Sequence, residues 1–341
     1  MSKPQMISID QGEIPEYVQN RPDLGRSLWL CAYYEHDCDQ WTVYIPQGTG
    51  PLFVMHPLGM SEGTYLSVKS QCDDDLCDPL ASLVYQHLSF PKMIPVIECL
   101  VSDILAGLST LHNYFILVDH GRRHNDSRTR SVIATTIESS LTIHRSFYDL
   151  LNKVVQKTVE VSSIKGVNVP DSYRKVLEQG AEGMTEKYQF PPAIVNYYLS
   201  REKVFRTLRS VRDQVVHHGK SPQFIFRFDD GFGINREMGI LASLNDIGVW
   251  HPESLRENGI GGVLALLAFL VQDMLQAGIS LASAISKSFQ TLPVPISPGS
   301  YIFLRSELMF HCQRIEDYIA TPWRDPVEGF TNNKAQQMGA D

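Results

Sequence analysis

The stretch PPAIVNYYLSREKVFRTLRSVRDQVVHHGKSP, residues 191–222, gives the clearest indication of the fold of this chain. Apolar residues recur in it every three or four positions, as on a helix that buries one face. The two prolines at its start suit a first helical turn, Gly219 is well placed to end the helix, and Pro222 prevents its continuation. The stretch therefore predicts an amphipathic helix that ends at His218.

Other long helices are expected around this one. The same apolar spacing predicts helices at residues 96–118, 131–159, about 260–289 and about 304–320. The segment at about 222–258 is too long for a simple connection, so we expect it to fold as an insertion. Together these elements predict a helical domain over residues 93–320, followed by a polar tail, residues 331–341, that we expect to be disordered.

Residues 1–90 have a different character. They contain short segments that are rich in aromatic and β-branched residues and are separated by turn residues, namely LWLCAYY (28–34), WTVYIP (41–46), PLFVMH (51–56) and TYLSVK (64–69). The chain is therefore predicted to be mainly α, with a smaller β-containing N-terminal region to which no chemistry can be attached.

Composition limits the functional classes. The net charge of -8 over 341 residues argues against nucleic-acid binding by the whole surface. The N-terminus lacks the apolar segment of a secretory signal. The longest nearly uncharged run, residues 258–286, contains Asp273, and we interpret it as a buried helix rather than a membrane span. We therefore expect a cytoplasmic protein that does not enter a membrane.

Positive charge is concentrated in two places. Residues 201–227 carry seven basic residues against two acidic ones, a local balance of +5, and residues 121–130, GRRHNDSRTR, carry four arginines against one aspartate. Such clusters can bind phosphates, although a solvated helix face and a solvated loop would look the same in the sequence.

The first basic cluster contains a candidate site. On a helix at 100 degrees per residue, Arg206, Arg209, Asp213 and His217 share the face opposite the apolar stripe Val204, Leu208, Val211 and Val215. Asp213 and His217 are four residues apart, so their side chains can meet. His218 lies nearer the apolar edge, which favours His217 as the functional histidine.

Arginine beside histidine suits phosphoryl chemistry. Arginine presents planar, permanently charged donors to phosphate oxygens, and histidine exchanges protons near neutral pH. In RNA the attacking group can be the substrate's own 2'-hydroxyl, so neither a protein nucleophile nor a metal is required. The six cysteines form no C-x-x-C pair and the histidines show no metal-binding spacing, so we predict no metal and no cofactor.

The motif RDQVVH, Arg212 to His217, resembles the R-x4-H signature of the HEPN superfamily. In that family a polar residue follows the arginine, and the signature lies near the end of a long helix in a helical bundle. The resemblance extends over about residues 93–320 and implies a HEPN-like helical bundle. It also implies a metal-independent endoribonuclease, usually a homodimer, that acts as a toxin or an antiviral-defence effector.

The resemblance also assigns roles. It implies that Arg212 stabilises charge on the phosphate, that Asp213 orients its neighbours and that His217 is the general acid or base. We assign contacts with RNA to four further residues of the basic cluster, namely Arg206, Arg209, His218 and Lys220. A neutralising or sensor protein partner would protect the host from such a nuclease. Two alternatives stay open: a non-catalytic HEPN-like module that binds RNA or a protein partner, and a helical protein in which Asp213 and His217 form only a surface pair.

Overall fold

A computed structural model describes residues 6–9, 31–45, 52–57, 59–88, 93–124, 127–161, 167–218, 225–237, 239–289 and 300–323. The described chain is mainly α-helical. It divides into two compact units, each built from three separate parts of the sequence. Unit 1 comprises Met1–Val101, Leu150–Tyr197 and Ala277–Phe310, and unit 2 comprises Ser102–Asp149, Tyr198–Gln276 and His311–Asp341.

The helices are α1 (Pro79–Leu88), α2 (Ile94–Arg123), α3 (Ser127–Val161), α4 (Tyr173–Leu177), α5 (Gly180–Tyr188), α6 (Pro192–His218), α7 (Val263–Ser288) and α8 (Ile315–Ala320). Four of the five predicted helices are thereby confirmed, as α2, α3, α6 and α7. The predicted helix at 304–320 is wrong: this segment begins in a strand and continues through a 3-10 helix, Met309–Arg314, into the short α8.

The β structure of unit 1 is a seven-stranded sheet. Its strands are β1 (Met6–Ile9), β2 (Cys31–Glu35), β3 (Gln40–Ile45), β4 (Leu52–Met55), β5 (Gly63–Ser67), β6 (Leu76–Cys77) and β10 (Tyr301–Arg305). The order is β1-β4-β3-β2-β5-β10-β6, with β2 and β5 parallel and the other neighbours antiparallel. The four strands predicted in the N-terminal region are confirmed.

Strand β10 explains why the β region is not confined to residues 1–90. It pairs with β5 on one side and β6 on the other, although it lies more than 200 residues later in the chain. Arg305, at its end, donates from Nε to Oδ1 of Asp75 at 2.9 Å and packs over the ring of Trp41 at 5.1 Å. These contacts stabilise an extended conformation where local apolar spacing favours a helix.

The core of unit 2 includes a buried ion-pair network between helices. Oδ2 of Asp273 on α7 accepts hydrogen bonds from His144 and Tyr148 of α3, at 2.8 and 2.7 Å. Oδ1 of the same carboxylate lies 3.3 Å from Nη1 of Arg201 on α6. On the other side of α7, Gly107 of α2 approaches Val271. Segments of four long helices therefore form a bundle within unit 2.

The predicted insertion folds as a small sheet with 3-10 helices. Strands β7 (Ile225–Phe228), β8 (Gly231–Asn235) and β9 (Ile260–Gly262) pair antiparallel in that order. Within the insertion, Gly239–Ile247 forms a 3-10 helix. The sheet is anchored by Tyr114 of α2, whose hydroxyl accepts a hydrogen bond from the backbone N–H of Phe232 at 3.0 Å.

Two helices, α2 and α7, are long and apolar enough to cross a membrane by length and composition alone. Their most apolar windows are 44% and 61% buried by the rest of the protein, respectively, and core helices pass the same test. In α7, Asp273 is 5% exposed and belongs to the ion-pair network of unit 2. This packing matches the interpretation of residues 258–286 as a buried helix.

Candidate functional site

Helix α6 places the predicted site on its solvent side. Leu208, Val211 and Val215 are buried at 6% exposure or less, as the apolar stripe predicts. Val204 is only half-buried, and Phe205 fills the core at that level instead, where it packs against Tyr148 at a centroid distance of 5.3 Å. The burial of one stripe fixes the rotation of the helix, so the arginines of the opposite stripe face outward.

Asp213 lies between two arginines. Its Oδ1 is 3.1 Å from Nη1 of Arg212, and its Oδ2 is 3.2 Å from Nη2 of Arg209, one helical turn earlier. The three side chains are 24–30% exposed, so they are reachable from solvent. Each carboxylate oxygen therefore has a guanidinium partner, and the local charge of the trio is +1.

Arg206 lines an open depression together with two members of this trio, Arg209 and Asp213. It donates from Nε to Oε1 of Glu202 at 2.7 Å and is 47% exposed. The depression has a volume of about 340 Å³ and is lined by polar and charged side chains, namely Arg206, Arg209, Ser210, Asp213 and Gln214. The same depression is therefore lined by two predicted RNA contacts, Arg206 and Arg209, and by one predicted catalytic residue, Asp213.

The remaining predicted site residues are only partly described. Helix α6 continues through His218, so position 217 is one turn after Asp213 on the same helix face. The side chains of His217 and His218, and Lys220 as a whole, lie outside the described residues. The predicted meeting of Asp213 with His217 therefore stays a prediction.

The basic cluster at 201–227 does not form one surface. Arg201 turns into the core of unit 2, where it contacts Asp273 and donates to the carbonyl oxygen of Gln276 at 3.3 Å. Arg227, at the other end, donates from Nη1 to the carbonyl oxygens of Gly121 and His124, at 2.7 and 3.2 Å. Of this cluster, Arg206, Arg209 and Arg212 remain grouped on one face of α6.

A second arginine site in unit 2 was missed by sequence reasoning. The guanidinium carbon of Arg256 lies 4.3 Å from the ring centre of Phe228 and 4.2 Å from that of Trp323, and its Nη2 is 2.5 Å from Oδ1 of Asp230. Nothing in the sequence links these residues, because they come from three distant segments.

The trio on α6 can bind and orient an anion. Both arginines are partly exposed, and a guanidinium is suited to donate hydrogen bonds to phosphate oxygens. Asp213 restricts the rotamers of both arginines and thereby prepares a planar set of donors. A histidine at position 217 would bring a proton donor or acceptor to the same face.

Comparison with known proteins adds no family assignment. No protein-family model matches the chain, and no match is found among curated proteins or among solved structures.

Proposed function

We propose that the protein is a metal-independent endoribonuclease of the HEPN type, with Arg212, Asp213 and His217 as its catalytic group. The observation that carries the proposal is the ion-paired trio Arg209–Asp213–Arg212 on the exposed face of α6, one turn before position 217. Arg212 and Arg209 hold the scissile phosphate, Asp213 orients both arginines, and His217 moves the proton.

The reaction needs no group beyond the RNA and these side chains. The 2'-hydroxyl of a ribose loses its proton to a base and attacks the adjacent phosphorus. The bond to the 5'-oxygen of the next nucleotide breaks as that oxygen takes up a proton from a general acid, so the proton lost by the 2'-hydroxyl is balanced by the one gained by the leaving group. The products are a 2',3'-cyclic phosphate and a free 5'-hydroxyl. Arginine donors stabilise the extra negative charge on the phosphate oxygens while this occurs. A homodimer with RNA bound near paired sites, and a cytoplasmic role in toxicity or defence, belong to the same proposal.

The second candidate is a non-catalytic HEPN-like module that binds RNA or a protein. The observation in its favour is that Asp213 engages both Arg209 and Arg212, so an incoming phosphate must compete with a carboxylate for the same donors. Binding by this surface requires only charge, without a proton-transfer group in a fixed position.

The test incubates the purified full chain with single-stranded and structured RNA in EDTA, and compares the wild type with Arg212→Ala and His217→Ala. We expect cleavage by the wild type only, with 2',3'-cyclic phosphate ends. Matched controls are Arg174→Ala, a half-exposed arginine of unit 1, and His251→Ala, an exposed histidine in the insertion.

The outcomes separate the two candidates. Cleavage by Arg212→Ala or His217→Ala at the wild-type rate overturns the catalytic assignment. Salt-dependent RNA binding by a folded wild type that forms no product supports the binding module instead. Circular dichroism of every variant checks that the α-helical content is retained.

A further inference from the structure

The last turn of α2 and the first turn of α3 form a second basic surface in unit 2, outside the depression on α6. Its arginines come from the last turn of α2 and the first turn of α3, namely Arg122, Arg123, Arg128 and Arg130, and all four are exposed. His120 and His124, also exposed, pack together with ring centroids 4.6 Å apart.

Strand β7 is attached to the same turn. Arg227 donates to the carbonyl oxygens of Gly121 and His124, and Nε of Arg122 donates to the carbonyl oxygen of Asp229. Gly121 of α2 is close to both α3 and β7. A Cβ atom added to Gly121 would lie 3.6 Å from Cγ2 of Thr129 on α3 and 3.7 Å from Cδ of Arg227 on β7. The turn and the strand therefore form one continuous surface, which we call the turn surface.

The nearby carboxylates are partly neutralised. Asp119 pairs with Arg123, with Oδ2 2.7 Å from Nη2, and Asp230 pairs with Arg256. Arg128 and Arg130 are in the first turn of α3, which contains no acidic residue. With Arg227, the described part of the surface carries five arginines against the carboxylates of Asp119 and the exposed Asp229, so it presents positive charge on a chain with a net charge of -8.

A short segment of chain connects the end of α6 to the turn surface. Six residues, 219–224, separate His218, the last residue of α6, from Ile225, the first of β7. The seven Cα–Cα steps from His218 to Ile225 span at most about 25 Å when the chain is fully extended. A bound strand of several nucleotides can cover that distance.

We infer that the turn surface binds the phosphodiester backbone of single-stranded RNA and holds the strand that is presented to α6. This inference rests on the proposed function for its substrate class. Arginine is suited to the task because its planar guanidinium donates two hydrogen bonds to one phosphate. An electrostatic surface of this kind binds without base specificity, so the inference concerns affinity and not sequence preference.

The test uses a fluorescein-labelled 20-nucleotide 2'-O-methyl RNA, which cannot be cleaved by 2'-hydroxyl attack, and measures its affinity for the full chain at several salt concentrations. The variant is Arg128→Gln with Arg130→Gln. Positive charge in the first turn of a helix is unfavourable, so this change does not weaken α3. The control, Lys153→Gln with Lys175→Gln, removes the same charge from exposed positions of unit 1.

We expect the Arg128/Arg130 variant to bind about tenfold more weakly at about 0.1 M salt. The slope of log affinity against log salt should fall by about 1.4, because single strands lose about 0.7 for each phosphate contact. Equal affinity and slope in this variant and the wild type overturn the inference, and so does failure of the wild type to bind. An equal loss in the unit 1 control also overturns it, because the effect would then be one of net charge.

Failure of the proposed function would look different. In that case natural RNA is not cleaved, whereas 2'-O-methyl RNA still binds to the wild type and binds more weakly to the Arg128/Arg130 variant. If both hold, the variant cleaves at the wild-type rate when protein is saturating and more slowly when RNA occupancy is partial, because the catalytic group on α6 is unchanged.

Discussion

Nη1 of Arg212 lies 3.1 Å from Oδ1 of Asp213, the residue that follows it in the chain. The same carboxylate also meets Arg209 from one turn earlier. A carboxylate that bridges two guanidinium groups occupies the position that an anion would take, so under the proposed function it would both position the arginines and compete with an RNA phosphate.

Replacement of Asp213 by Asn should separate binding from cleavage. The change removes the negative charge between Arg209 and Arg212, so we expect 2'-O-methyl RNA to bind several-fold more tightly, with a salt slope steeper by about 0.7. Cleavage of natural RNA should fall, because the arginines lose their orientation. Unfolding should become easier by about 1 kcal/mol or less, since these pairs are partly exposed.

A matched control for Asp213→Asn exists on the same helix. Glu202→Gln releases Arg206 from a similar ion pair, two to three turns earlier on α6. We expect a smaller gain in RNA affinity and no loss of cleavage per bound RNA. A gain for Glu202→Gln without one for Asp213→Asn would contradict the assigned role of Asp213.

The buried carboxylate of Asp273 should dominate the stability of unit 2. Breaking a buried ion pair by removing one partner costs about 3–5 kcal/mol, so we expect a loss of this order for Asp273→Asn in urea unfolding. Tyr148→Phe removes one hydrogen bond to a charged group and should cost about 1.5–3 kcal/mol. The change Asp149→Asn, at a half-buried carboxylate on the next residue, is the control and should cost less.

Asp273 should also shape acid stability. Burial by itself raises the pKa of Asp273, but the hydrogen bond and charge of His144, the Tyr148 hydroxyl and the Arg201 charge outweigh burial and leave this pKa below its usual value. The stabilisation is present above an unfolded-state pKa of about 3.9 and is lost as pH falls through the lower folded-state value. Asp273→Asn should therefore lose less stability than the wild type below about pH 4, as measured by urea unfolding. A parallel loss in both proteins would contradict this role.

His311 should make the protein less stable in mild acid. Burial, with the charges of His112 and Arg314, lowers the pKa of His311 from 6.5 to about 3. Between pH 6.5 and about 3 the imidazole of His311 is protonated in the unfolded chain but not in the folded one. The free energy of unfolding should therefore fall as pH decreases from 6.5 towards 3, by at most about 1.4 kcal/mol per pH unit.

The variant His311→Phe tests this dependence. A phenyl ring can keep the stacking of the His311 ring on Phe115, where the ring centroids are 5.8 Å apart, but cannot titrate. We expect a flatter pH dependence of the unfolding free energy between pH 6.5 and 4, with a constant loss of about 1 kcal/mol for the contact with the Tyr318 hydroxyl. His251→Gln is the exposed control, and an unchanged slope in His311→Phe would refute the explanation.

Gly233 should be essential for the three-stranded sheet. It lies opposite Gly262 in the β8–β9 pair, and a Cβ atom on it would come within 2.4 Å of Cγ2 of Ile260 and 3.0 Å of Cη2 of Trp323. Gly233→Ala should therefore cost about 1–3 kcal/mol of stability, as overpacking does. Gly59→Ala, where no atom would lie within 4 Å of the added carbon, should be nearly neutral in the same thermal unfolding measurement.

The long helices were predictable because their signal is local. In α6, apolar residues at spacings of three and four specify one buried face, and the structure buries Leu208, Val211 and Val215 as expected. The grouping of Arg206, Arg209 and Asp213 follows from the same periodicity. The helix predicted at 304–320 was wrong because its first residues complete a sheet with β5 and β6, a pairing that no local pattern encodes.

The sequence by itself determined the mainly helical class, the four long helices, the early strands and the outward face of α6, because helix and strand periodicity act over a few neighbouring residues. Only the tertiary structure decided which arginines of the basic cluster remain together on the face of α6. Arg201 is drawn into the core by Asp273, 72 residues away, and Arg227 is held by the turn after α2. Such partners meet only when distant segments pack, since burial of a charge requires a counter-charge that local sequence cannot supply.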